Sequence, residues 1–236
     1  MGLFGRKRSA KPAQDGASPP IEDDDPPASG WDAIDAALRP LYGDAVPHHV
    51  GYGAHTMLSD NLQGCSAYAR EDHWHYVPYG LSNLFDQDEP DNVDEHGRQV
   101  SGWGCELTFR LARGPEQDPP KWAFVALNEI CRYVRRTAAP LDPGHRLDLQ
   151  RPITGFPDVE GAPDTGLTVD LLTLDPELGR IDTPNGRMEF LQVVGITAAE
   201  KAVAVEAGDQ SAGLLARRAA EHPLLVTDPA RSAPAG

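Results

Sequence analysis

The sequence predicts a single α/β domain of the α+β kind, in which helices pack on a mixed β-sheet. Two observations carry this. Short aromatic and aliphatic runs bounded by Gly, Asp and Pro have the look of strands. Segments with apolar residues at helical spacing interleave with them, without the strict β–α–β succession of a parallel-sheet fold. The cleanest strand lies in Glu106-Leu107-Thr108-Phe109-Arg110-Leu111. There Leu107, Phe109 and Leu111 share one face and Glu106, Thr108 and Arg110 the other, which reads as a strand with one dry face.

The elements follow in order. Residues 1–29 are rich in Pro, Ala, Ser and charge and lack aliphatic periodicity, so they read as a disordered tail. Trp31, Ile34, Ala37, Leu38 and Leu41 recur at helical spacing, with Ser29 or Asp32 as cap and Gly43 as stop. Strands are expected at Ser66–Ala69, His73–Tyr79 and Cys105–Leu111. Pro119-Pro120 opens the longest helix, running to Thr137. Its apolar stripe is read as Trp122, Val125, Ala126, Glu129, Ile130, Tyr133 and Val134. Further strands are expected at Arg146–Leu149, Leu167–Leu174 and Met188–Val194, with a hairpin turn at Asn185-Gly186. Thr197-Ala198-Ala199-Glu200 fits a capping box, and a last helix spans Ser211–Glu221. Leu224-Leu225-Val226 is a candidate edge strand. The folded unit is expected over 30–228, with 229–236 a frayed end.

Charge narrows the functional classes. A net charge of −15, from 21 basic and 36 acidic side chains, repels a phosphate backbone and argues against nucleic-acid binding. A basic protein partner would be steered toward such a surface. No run approaches the ~20 apolar residues of a membrane span. The basic start at Arg6, Lys7, Arg8 and Lys11 has no apolar segment of ~7–15 residues behind it, so the chain reads as cytoplasmic, with no membrane partner. Cys65, Cys105 and Cys131 are odd in number and widely spaced, and read as buried, reduced fillers.

Candidate chemistry is sparse. His73 and His75 share a strand face and could grip one metal ion, although Asp72 sits on the opposite parity and supplies no third ligand. The acidic stretch Asp86–Glu95 fails the EF-hand pattern, because Pro90 and Asp91 stand where Asp and Gly are needed. Gly51-Tyr52-Gly53 and Gly102-Trp103-Gly104 lack the third glycine of a dinucleotide loop and read as bends around an aromatic ring. No nucleophile elbow, zinc-protease helix or P-loop is present. No catalytic residue, metal or cofactor is assigned.

Several blocks, in order, resemble the N-terminal domain of Suppressor of Fused proteins. They begin with Gly30-Trp31-Asp32-Ala33-Ile34 and Glu71-Asp72-His73-Trp74-His75-Tyr76-Val77, then Tyr79-Gly80-Leu81-Ser82. Ser101-Gly102-Trp103-Gly104 runs into Glu106-Leu107-Thr108-Phe109-Arg110-Leu111, followed by Arg132-Tyr133-Val134 and Asp142-Pro143-Gly144-His145. Asp182-Thr183-Pro184-Asn185-Gly186 and Phe190-Leu191-Gln192-Val193-Val194-Gly195 complete the long match, which trails to Leu225-Val226-Thr227-Asp228. The resemblance implies a mixed α/β domain with a non-catalytic, cytoplasmic, protein-binding role.

In animals the family protein holds transcription factors of the Hedgehog pathway through a short peptide, seated between this domain and a second, C-terminal one. By the resemblance, the chain is expected to correspond to the first of those domains. Carried over residue by residue, the resemblance implies peptide contacts at Arg132 and Tyr133. His145 and Leu174 stand where the animal pattern has Asp and Glu, and losing those carboxylates removes partners for a His-bearing peptide. The tail-plus-single-domain form is similar to bacterial members, regarded as immunity proteins that neutralise secreted toxins. The expected partner is thus a protein, either a basic toxin or the bearer of a short peptide. The expected partner-binding residues are Arg132, Tyr133, His145 and Leu174.

Overall fold

The computed structural model describes residues 27–52, 62–86, 92–208 and 211–231. Helix α1 (Ser29–Tyr42) is followed by strands β1 (His48–Gly51), β2 (Gly64–Ala69), β3 (His73–Tyr79), β4 (Asn92–Val93) and β5 (Gln99–Ala112). Then come α2 (Lys121–Thr137), β6 (Arg146–Asp148), β7 (Leu167–Leu174), β8 (Arg180–Thr183) and β9 (Gly186–Thr197), closed by α3 (Ala198–Ala207) and α4 (Ala212–Glu221). The strands form one mixed sheet in the order β1-β2-β3-β5-β9-β7-β6, with β4 on β5 and β8 on β9. Among the described strands the parallel pair is β5 with β9, at the centre. The predicted fold class is the observed one.

Strand parity assigns the two faces. Trp74, Tyr76, Leu107, Phe109, Leu111, Leu172, Leu191 and Val193 pack with α2 in the largest core cluster. On the opposite face, Val77, Tyr79 and Phe190 pack with Ile34 and Leu38 of α1. Further along that face, Val169, Leu171, Val194 and Ile196 pack with Ala204 of α3 and Leu214 of α4. Both faces are therefore covered. This overturns the reading of β5 as a strand with one dry face, because Glu106, Thr108 and Arg110 are each 0% exposed. The alternation is real, but the polar residues enter a buried hydrogen-bonded layer instead of water.

That layer is nearly self-sufficient. Arg110 grips Asp175 with both terminal guanidinium nitrogens, Nη1 to Oδ2 at 2.6 Å and Nη2 to Oδ1 at 3.2 Å. Its Nη2 also donates to Glu177 at 2.9 Å, and Nη1 donates to Gln192. Thr108 Oγ1 donates to Asp175 at 2.7 Å, as do the Glu177 and Leu178 amides at 2.9 Å each. Glu106 accepts from the amides of Gly80, Leu81 and Ser82. Saturating a buried charge in this way offsets its desolvation.

Local signals explain several boundaries. Thr197 caps α3 and Glu200 returns the bond to the Thr197 amide, so the predicted capping box is present. Thr197→Ala is expected to cost about 1 kcal/mol in urea denaturation, the usual value of an N-cap. The hairpin between β8 and β9 closes with Thr183 paired to Gly186. Gly186 takes a φ of +113°, and a Cβ there would fall 2.8 Å from the Ser101 amide nitrogen. Gly102 and Gly104 both have positive φ where β5 shifts register between Val100 and Cys105. The intervening Trp103 is exposed, so these glycines make a bulge and do not wrap a packed ring. Leu224-Leu225-Val226 forms no strand; Thr227 makes an isolated parallel bridge to Leu111. Arg231 is held at Glu200 Oε1, 2.6 Å, and at the Gly195 carbonyl, 3.0 Å. The tail as far as residue 26 and residues 232–236 lie outside the described residues, as do 87–91 of the acidic stretch.

Candidate functional site

Helix α2 carries more apolar surface than the sheet can cover. Trp122, Ala123, Phe124, Leu127, Ile130, Cys131 and Val134 are buried. Val125 and Tyr133 are each 41% exposed, which corrects the predicted stripe by a rotation of the helix. Hydropathy could not set that phase, because the apolar arc of α2 is wide and admits more than one packing orientation. The uncovered margin, Val125, Ala126, Glu129 and Tyr133, forms one wall of a groove of about 400 Å³. Residues 149–159 form the opposite wall, with Ile153, Thr154 and Val159, and Leu147 of β6 and Asp170 of β7 complete it.

Asp170 is the unusual member of that groove. It lies in the run Leu167–Leu174, on the face of β7 that Leu172 buries against the α2 cluster. It is 4% exposed. Burial raises its carboxyl to about 7. Leu147 and Gly195 stand across from it on the flanking strands, and neither brings a side-chain donor. The signal was legible: one charged residue inside an otherwise uncharged, Leu-rich strand, at the parity of a core residue.

The residues named from the sequence do not converge on one pocket. Tyr133 lines the groove. Arg132, its neighbour, donates Nη1 to Glu129 Oε1 at 2.7 Å across one helical turn. His145 closes its own turn, with Nδ1 3.2 Å from the Asp142 amide nitrogen and 3.2 Å from the Pro140 carbonyl oxygen. Leu174 is half-buried at the end of β7, paired with Leu191 of β9.

His73 and His75 do share a sheet face, as their spacing requires, but each is engaged separately. His73 Nδ1 lies 2.6 Å from Asp72 Oδ1, and His222 Nε2 lies 3.1 Å from the other Asp72 oxygen. Asp72 therefore reaches His73 despite its opposite parity, through the bend that precedes β3. His75 Nδ1 lies 2.5 Å from the Tyr42 hydroxyl, and its Nε2 is 3.6 Å from Asp175 Oδ2. Burial pulls His75 down to about 4, so it is neutral at pH 7. Among the described residues no group of three or more His, Cys, Asp or Glu side chains is placed to hold a metal ion. Cys65, Cys105 and Cys131 are buried free thiols, and burial raises all of them. No helix among the described residues is long and apolar enough to cross a membrane.

Comparison with known proteins places this architecture. The profile of the Suppressor of fused protein family matches residues 59–232. The human Suppressor of fused homolog is 32% identical over 161 residues, which cover 66% of this chain and 31% of that protein. The mouse homolog gives the same figures. The chain thus spans about a third of the length of these relatives. A chain of the Sufu–Fu complex crystal structure superposes with a TM-score of 0.75 at 29% identity, covering 88% of this chain and 92% of that one. Drosophila Suppressor of Fused superposes with a TM-score of 0.73 at 28% identity, covering 88% of this chain and 51% of that one. The fold also extends to a Suppressor of fused homolog of Neisseria gonorrhoeae, with a TM-score of 0.53 at 14% identity, over 86% of this chain and 96% of that one. The chain belongs to the Suppressor of fused family.

Proposed function

We propose that this chain works by holding another protein, without catalysis and without a cofactor, through the groove between α2 and residues 149–159. The observation that carries the reading is the uncovered apolar margin of α2, where Val125 and Tyr133 stand exposed beside that groove. Exposed apolar surface rimmed by polar residues is the usual mark of a protein contact. The Sufu–Fu complex, whose Sufu fold this chain shares, supports a partner that is a protein. The mechanism is occlusion: the partner's functional surface is covered while it sits on the domain.

The finer form of the proposal is an immunity protein that covers a basic toxin. The net charge of −15 would speed such an encounter by steering and make it sensitive to salt. The rival form is a regulatory adaptor for a short peptide at Arg132, Tyr133, His145 and Leu174. Affinity capture from the native host with the full chain as bait separates the two. A stoichiometric basic protein, released as salt is raised, is the outcome expected of the toxin form. A partner whose binding is reproduced by one of its short peptides points to the adaptor. Capture of nothing above background overturns a constitutive tight complex in either form.

A further inference from the structure

Asp170 leaves a question that protein binding alone does not answer. A carboxyl that is 4% exposed belongs beside a cation or a ring of donors, as Asp175 shows in the same molecule. Among the described residues Asp170 has neither, and it lines a groove that opens to solvent.

Most of the charged groups around the groove are committed elsewhere. Glu129 of α2 is paired with Arg132 at 2.7 Å. Arg146 of β6 donates to Ser211 Oγ at 2.9 Å, and Asp148 pairs with Lys201 at 2.6 Å. Arg151 lies 3.5 Å from Asp158. Arg136 sits exposed in the last turn of α2. Among the described residues no charged neighbour shifts Asp170, whose raised carboxyl comes from burial alone. The apolar part of the groove's lining is Val125, Ala126 and Ile130 of α2 and Ile153 and Val159 opposite.

A groove with an apolar strip in its lining and one buried carboxyl without a cation beside it matches a side chain with a hydrocarbon stem and a cationic head. We propose that the groove receives a lysine or arginine side chain of the protein partner, with its stem between α2 and residues 149–159 and its head on Asp170. The inference rests on the protein-binding reading and deepens it, by naming the chemistry of the anchoring residue. It agrees with the net charge of −15, which draws basic partners. It also accounts for a buried acid that stability alone would have replaced.

The site can be read without a partner, using n-butylammonium as a probe of a lysine head and stem. Amide chemical-shift changes in the full-length protein would report its binding, with pentanoate and n-pentanol as the anionic and neutral probes. Butylammonium is expected to perturb Leu147, Thr154 and Asp170 and to bind about tenfold or more tightly at pH 8.5 than at pH 5.5, as the carboxyl ionises. Asp170→Asn and Asp170→Ser, checked for an unchanged fold by their spectra, should each lose that binding. Equal binding to wild type and variants overturns the proposal, as does a preference for pentanoate or pentanol over butylammonium. Such a failure leaves the protein-binding reading standing, because host capture tests that reading separately.

Discussion

Asp175→Ala is expected to remove about 3–5 kcal/mol of stability, the cost of leaving a buried charge without its partner. Arg110 and Asp175 have no exposed side-chain surface, so solvent cannot replace the lost contact. The variant would strand the Arg110 guanidinium on Glu177 and Gln192 and orphan the donors at Thr108, Glu177 and Leu178. Equilibrium urea unfolding measures the loss, and a change below about 1 kcal/mol would show that the layer is not buried as described. Replacing both partners, as Arg110→Met with Asp175→Leu, should cost less than Asp175→Ala alone, since no charge is left stranded.

The same layer makes the fold acid-sensitive. Burial pushes Asp175 up, but the nearby His75 ring, its Nε2 3.6 Å away, and the hydrogen bonds and charge of Arg110 outweigh it and hold the carboxyl well below the usual range. A carboxylate depressed in the folded state contributes stability above its unfolded value and loses it as pH falls further. His75, held at about 4 by burial, adds to this between about pH 6.5 and 4, where the unfolded chain takes up a proton that the folded chain refuses.

Asp170→Asn should act in the opposite direction and stabilise the protein at alkaline pH. The wild-type carboxyl is raised from 3.8 to about 7 in the folded state. A group raised on folding contributes fully below its unfolded value, and that contribution disappears as pH rises through the folded one. At pH 8.5 the wild type therefore holds a buried charge that the asparagine lacks. At 1.36 kcal/mol for each pKa unit, the gain is on the order of 4 kcal/mol. It should vanish at pH 4, where both side chains are close to neutral in the folded protein. Urea unfolding of wild type and variant at pH 4, 6 and 8.5 isolates Asp170, because His75 and Asp175 titrate alike in both. A difference that does not change with pH would mean that Asp170 is solvated. A stabilising replacement at this position is what a site kept for binding predicts.

Strand and helix positions were legible because local chemistry decides them. The run His73–Tyr79 forms a strand over those very residues, and the capping box at Thr197 starts a helix where it should. What covers each element depends on residues distant in the chain, and there the sequence was ambiguous. In β5, Thr108 and Arg110 look like a solvent face until Asp175, about 65 residues on, closes over them. The strands β1, β4 and β8 escaped notice because they are short and mostly exposed, so their hydropathy carries little pattern. The rotation of α2 was undecided for the same reason that its face is interesting: its apolar arc exceeds what the core uses. Tyr133 was named from a resemblance, whereas Val125 and Asp170 emerge as groove residues only once α2, β7 and residues 149–159 are brought together.

The most direct test of the groove as the protein contact compares full-length wild type with a Val125→Glu/Tyr133→Ala variant. Partner retention from the native host is measured quantitatively for both, after thermal unfolding has shown them equally stable. Both side chains are well exposed, so the fold should tolerate the change. The account predicts that the variant loses at least about tenfold in affinity, a hot-spot effect of roughly 1.4 kcal/mol or more. Equal retention by the two proteins would contradict it and place the partner on another face of the domain.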